Sequence, residues 1–240
     1  HQLDASSIFL AAANEGKKQH PLWVDASSAR SVFPLDREVD DHVFCLYEYP
    51  TKGYDPNHSV NKLKKVTVQY STINGNGTDS YGETVYGDSG TLVLERELEP
   101  YLFKLADTLA KTRVTTKTIR NEAGELVRVP DLITEEKGDP VAASMGQLGT
   151  TGLDVSRGYC EEEEHWAYCI QENPEADPSG EQPHCYPKIA LGDAVIALTT
   201  NISANEGRRI QFKEEWFDID SDETPDGSEA ELADLMKIGD

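Results

Sequence analysis

Two side chains at the start of the chain, His1 and Asp4, have the types and spacing for proton chemistry. They lie three apart in HQLDASSIFL, where Leu3, Ile8, Leu10 and Ala11 fall close to a 3.6-residue rhythm. On one helical face a carboxylate can orient an imidazole that gives or takes a proton. Spacing alone favours a solvated pair, because His and Asp at i,i+3 on a surface helix usually face water. No Ser, Thr, Asp or Asn precedes Leu3 as an N-cap, so the helix is expected to be entered from upstream.

A second cluster comprises Cys160, His165, Cys169, His184 and Cys185. His165 and Cys169 stand at i,i+4 on a predicted helix, a spacing that two metal ligands can use. There is no CxxC, and Trp166, Ala167 and Ile170 suggest a helix packing one face inward with cysteine as a small hydrophobe, so no metal site is expected. Glu161 to Glu164 read as a solvated first turn near a helix N-terminus. The triplets at Asn57, Asn76 and Asn201 would matter only in a glycosylating secretory pathway and read as chance. GxGxxG, GxxxxGK[ST], GxSxG and HExxH are all absent, so these residues alone offer no familiar phosphate loop, nucleophile elbow or zinc pair.

The elements that must position these groups follow from patterning. The first helix should stop near Asn14-Glu15-Gly16. LWVDASSARSVF and VFCLYEY, the latter closing against Pro50, read as strands. KKVTVQYSTI alternates with a period of two and ends in the turn NGNG. Tyr81 to Tyr86 and Thr91 to Glu95 read as a hairpin whose glycines at 87 and 90 would permit positive φ. From about 107 to 155 no period is sustained, which suggests a long excursion or insertion. Helical patterning returns in EEEEHWAYCIQ and in ALGDAVIALTTNISANEG, where Ala190, Ala194, Leu198 and Ile202 share a face and Gly207 suits the end. The short strand RIQF follows, then the acidic tail 219–240, expected to be mobile. This order predicts an α+β fold: a mainly antiparallel open sheet with helices on one face, in one domain over 1–218. The uncovered face invites a second subunit.

Length and composition set outer bounds. The 240 residues, 38% of them hydrophobic, can bury a substantial core. Forty-four acids against 22 bases give a net charge of −22, which repels nucleic acid. No apolar run approaches the roughly 20 residues of a bilayer span, so no membrane partner is expected. Four cysteines are too sparse for a disulfide scaffold, and reduced thiols in the cytoplasm are the expectation.

Several blocks, in order, resemble the C-terminal part of the Gfo/Idh/MocA family of NAD(P)-dependent oxidoreductases. HQLD resembles the family's catalytic helix, with a histidine followed three residues later by an aspartate. REVDDHVFCLYEYP, VTVQYSTINGNG and ETVYGDSGTLVL resemble its strands, and HWAYCIQ, HCYP and ALGDAVIALTTNISANEGRRIQF its closing segments. The resemblance covers most of 1–105 and 155–218. It implies that His1 is the catalytic acid-base residue and that Asp4 supports the helix or the substrate. It also implies that NAD or NADP is bound by a Rossmann domain preceding these residues, that no cofactor binds this chain alone, and that the isolated chain is inactive. The substrate would be a sugar or polyol secondary alcohol, and the open sheet a homo-oligomer contact. The competing reading is a non-catalytic carbohydrate-binding or assembly module of the same fold.

Overall fold

The computed structural model describes residues 2–75, 81–95, 99–105, 107–120, 124, 126–134, 158–177 and 179–227. Their backbone forms an α+β fold of three α-helices and antiparallel sheets. Residues 1–76 with 175–240 make one compact unit and residues 77–174 another.

In the first unit, α1 (Gln2–Ala13) precedes β1 (Trp23–Ala29), β2 (His42–Pro50) and β3 (Lys65–Ile73). β9 (Ile210–Gln211) completes a sheet in the order β3-β2-β1-β9, antiparallel throughout. Register places Val24 opposite Tyr47, which pairs with Val68, and Ala26 opposite Cys45, which pairs with Tyr70. The period of two sends these residues to one face, and that face is buried.

The long helix α3 (Pro187–Glu206) covers it. Pro187 opens the helix where an N–H would have no intrahelical partner, and Gly207, at φ +61°, ends it in the left-handed conformation that favours glycine. Its buried residues are Gly192, Val195, Ile196, Thr199, Thr200 and Ser203. The face expected from the sequence, Ala190, Ala194 and Leu198, is instead exposed; only Ile202 packs partly against the core. The reason is hydrogen bonding. Thr200 donates to Ile196 O at 2.7 Å and accepts from the buried Tyr47 hydroxyl at 2.7 Å. Ser203 donates to Arg208 O at 2.7 Å and accepts the Ala26 N–H at 3.0 Å. A sheet face that presents a phenol and a backbone donor selects hydroxyls, not only apolar groups, on the helix above it.

Asp41, also buried, organises the β1–β2 loop. Its Oδ2 accepts the N–H groups of Ser31, Val32 and Phe33 at 2.7, 2.5 and 2.8 Å, and its Oδ1 contacts His42 Nδ1 at 2.7 Å. Burial alone would raise its pKa, but the bonds from Phe33, Val32, His42 and Ser31 outweigh burial and hold the carboxyl well below the usual range. Val32 and Phe33, read from sequence as the apolar end of a strand, therefore belong to this loop.

The second unit holds a five-stranded antiparallel sheet in chain order: β4 (Gly82–Tyr86), β5 (Gly90–Glu95), β6 (Glu99–Lys104), β7 (Asp107–Arg120) and β8 (Leu126–Thr134). Residues 107–120 and 126–134, without a sustained period in sequence, thus pair as a long β-ladder: TRVTTKTIR is rich in β-branched residues and lacks a sharp alternation of polarity. Residues 135–157 of the expected excursion and 228–240 of the expected mobile tail lie outside the described residues. Gly82 and Gly90 serve close approach, not positive φ: a Cβ there would sit 2.3 Å from Leu94 O and 2.5 Å from Phe103 O. In α2 (Tyr159–Glu172), Trp166 and Ile170 face water, contrary to the inward packing expected of them, and Cys169 is the buried residue. Among the described residues no helix is long and apolar enough to cross a membrane.

If α3 holds the first unit together, Ile196→Ala, at a fully buried position, should cost about 2–5 kcal/mol of unfolding free energy in urea titration. Leu198→Ala, on the exposed face, should cost no more than about 0.5 kcal/mol.

Candidate functional site

The chemistry expected of the first helical turn rests on His1 and Asp4. His1 lies outside the described residues, and Asp4 sits in the first turn of α1, partly buried. Leu3 and Leu10 pack against the core, and Ser7 is buried with its hydroxyl donating to Leu3 O at 3.0 Å. Ile8, which the helical rhythm grouped with them, is exposed.

This docking brings Asp4 to Asp193 of α3. Lys18, in the segment leading from α1 to β1, reaches the same place: its Nζ donates to Asp193 Oδ1 at 3.0 Å and to Ile189 O at 3.3 Å. Tyr49 of β2 brings a buried hydroxyl beside Ser7 and within the field of Asp193. Burial raises the Asp4 pKa, the neighbouring Asp193 charge and the hydrogen bond between the two carboxyls raise it further, and Lys18 partly offsets them. Burial and Asp193 likewise push the Tyr49 phenol upward.

Two carboxyls and one ammonium therefore share a partly dry corner between two helices. Such a group can hold a proton on Asp4 above the ordinary carboxylate range, and it pins the first turn of α1 to α3. Lys18, Asp193 and Tyr49 were not singled out in the sequence. Lys18 and Asp193 are 175 positions apart, and no local pattern marks either. The Asp41–His42 contact is a second carboxylate–imidazole pair; its only sequence trace is the run Asp40-Asp41-His42.

The cysteine and histidine cluster is only partly brought together. Cys169 Sγ lies 3.8 Å from His165 Nε2, one helical turn away, whereas Cys160 and Cys185 are exposed free thiols. Among the described residues no three His, Cys, Asp or Glu side chains converge as a metal site. Glu161 to Glu164 are exposed at the start of α2.

α2 carries Glu161 and Glu162 in its first turn, and α3 begins with Pro187, which lacks an N–H.

No protein-family model and no curated protein matches the chain. Among solved structures it is similar to an oxidoreductase from Sinorhizobium meliloti, with 15% identity and a TM-score of 0.44, over 80% of this chain and 47% of that one. The chain thus spans about half the length of that structure.

The carboxyl pair predicts a pH dependence with a definite sign. Because the folded state holds a proton on Asp4 more tightly than the unfolded state does, this group's contribution is most favourable at low pH. It is lost as pH rises from the ordinary carboxylate pKa through the raised one. Asp193→Asn should flatten that part of the profile, and Lys18→Met should move the Asp4 midpoint further up. Carbon-detected NMR titration of the Asp4 carboxyl reads both; an Asp4 midpoint unchanged by Asp193→Asn would remove the coupling.

Proposed function

We propose that this chain is the substrate-binding and oligomerising part of an NAD(P)-dependent oxidoreductase acting on a secondary alcohol of a sugar or polyol. The observation that carries the reading is the corner formed by Asp4, Asp193 and Lys18, which fixes the first turn of α1, with Asp4, against the main helix of the domain. The order of the blocks that resemble the Gfo/Idh/MocA family supports the same assignment. In this reading NAD or NADP is held outside the described residues, and hydride chemistry comes from its nicotinamide.

What these residues contribute is the proton. His1 takes it from the substrate hydroxyl during oxidation and returns it during reduction. Asp4 lies three residues on in the sequence, where its proton-holding carboxyl donates to a substrate oxygen or steadies the turn. Lys18 and Asp193 act through Asp4 and are positioning residues. The four free cysteines support a reducing, cytoplasmic compartment.

The oligomer contact assigned to this reading is the outer face of the β3-β2-β1-β9 sheet. Alternation turns Phe44 and Leu46 outward on β2 and Ile73 outward on β3, and they are 46%, 43% and 57% exposed. A polar border flanks them: Trp23 Nε1 and Lys65 Nζ both donate to Glu48 Oε2, at 2.9 and 2.6 Å, and the Arg209 guanidinium lies 3.7 Å from the Trp23 ring centre. Phe44 and Leu46 stand between Ser27 and Asp25 on one side and Ser71 and Gln69 on the other, a mixed apolar and polar face of the kind found in non-obligate interfaces.

The first test uses the protein expressed with whatever its reading frame encodes upstream of His1. A thermal shift with NAD(H) or NADP(H), and a fall in kcat of about 10²–10⁴-fold in His1→Asn with KM little changed, are the expected results. A reading frame without a nucleotide-binding segment, together with no nucleotide response, would leave a carbohydrate-binding or assembly module instead. For the oligomer, equilibrium sedimentation should find a dimer that Leu46→Glu converts to monomer; a wild-type monomer at about 10 μM would remove the sheet from the contact.

A further inference from the structure

The helix α2 buries Cys169 but leaves its large apolar side chains in water. At about 100° per residue, Tyr159, Trp166 and Ile170 fall within about 40° of one another around the helix axis. They form one line about 16 Å long, some three turns of helix. Tyr159 is 66%, Trp166 59% and Ile170 51% exposed. Single exposed apolar residues are ordinary on a protein surface, but a line of three with tryptophan in its middle holds a large apolar area out of the core. Trp166 makes no hydrogen bond or ring contact in the structure.

The charges bordering the line have one sign. On the helical wheel Glu163 lies about 40° to one side of Tyr159 and Glu162 about 60° to the other. Glu161 to Glu164 and Glu172 are all exposed, and α2 contains no lysine or arginine. No cation pairs with Glu162, Glu163 or Glu164 among the described residues. Exposed glutamates are ordinary in a chain of net charge −22. Here their importance is that they decide which partners the apolar line accepts.

A second copy packed on this face would set the same glutamates against each other, and nucleic acid or an anionic lipid surface would meet like charge. A helix that carries lysine or arginine beside an apolar stripe matches both features. Its apolar side chains interdigitate with Tyr159, Trp166 and Ile170 over three turns, and its cations stand against Glu162 and Glu163.

We propose that the Tyr159, Trp166 and Ile170 face of α2 is a docking surface for a basic amphipathic helix of a partner protein, with Trp166 as its central anchor. Aromatic anchors of this kind carry most of the energy of an interface, while the bordering charges set the sign of the partner and the rate of encounter. None of the residues assigned to the oxidoreductase reaction takes part, so the surface stands whether or not that reading does.

The test is titration of the 15N-labelled 240-residue protein with a peptide of about 18 residues, built of leucine and lysine in amphipathic helical order, following the α2 amides and the Trp166 indole N–H. Saturable shifts with a Kd of about 100 μM or tighter are expected. Trp166→Ser with Ile170→Ser, both at exposed positions, should weaken binding about tenfold or more. Leu63→Ser, an exposed apolar position in the other compact unit, should leave it unchanged. Glu162→Gln with Glu163→Gln, or a rise in salt from about 0.05 to 0.5 M, should weaken it severalfold. Absence of saturable shifts would overturn the proposal. So would binding that survives the double serine substitution, or equal binding of a peptide whose leucines are replaced by serine, since either reduces the contact to charge. Equilibrium sedimentation of the protein alone tests the other occupant: a dimer that Trp166→Ser dissociates would assign the face to a second copy and overturn the proposal as well.

Discussion

The structure of the first unit depends on one contact, the seating of α3 on the inner face of the four-stranded sheet. A sheet with one apolar face must cover it, and here one 20-residue helix does most of that work. The contact is not purely apolar. Tyr47 and the Ala26 N–H are buried on the sheet side, and each would be costly without a partner. Thr200 and Ser203 meet these needs while donating their own protons to the Ile196 and Arg208 carbonyls. The two hydroxyls fix the helix in register and rotation, which apolar contact alone does loosely.

Once α3 is fixed, its first turns determine what α1 can do. Asp193 lies on the N-terminal half of α3, so the register that satisfies Tyr47 and Ala26 also presents a carboxylate to Asp4 and an anchor to Lys18. A like-charge pair of this kind persists because packing elsewhere holds the helices together, and because Lys18 and a shared proton reduce the repulsion. Among the described residues α3 is the longest helix, and it packs on the inner face, while Phe44 and Leu46 on the outer face are exposed. The loop held by Asp41 closes one end of that sheet through backbone donors, so its shape depends on a carboxylate that stays ionised down to low pH.

Legibility in the sequence followed the strength of local contrast. β3 could be read residue by residue because Val66, Val68 and Tyr70 alternate with polar neighbours, and α3 could be bounded because Gly207 has a single backbone role. The buried face of α3 was misread because Thr199, Thr200 and Ser203 look like solvent residues until Tyr47 and Ala26 N–H are set against them. β7 was missed because its Thr, Lys and Arg residues leave a period of two with little amplitude, and β8 because Pro130 interrupts the apolar run LVRVPDLIT. In α2 the aromatic Trp166 suggested an inward face, yet the structure buries the smaller Cys169. Of the candidate site, only Asp4 was visible; Lys18, Asp193 and Tyr49 join it through long-range packing that no local spacing encodes.

In a chain this acidic, the placement of each base is more informative than the placement of each acid. Several described lysines and arginines meet a carboxylate: Lys65 with Glu48, Lys117 with Asp131, Lys213 with Glu223, Arg209 with Asp25. Several of these pairs are exposed and contribute little to stability, since water and salt screen them. Lys18 is different because it is partly buried and divides its hydrogen bonds between a carboxylate and a main-chain carbonyl. It lowers the cost of the acidic corner without removing the raised affinity of Asp4 for its proton.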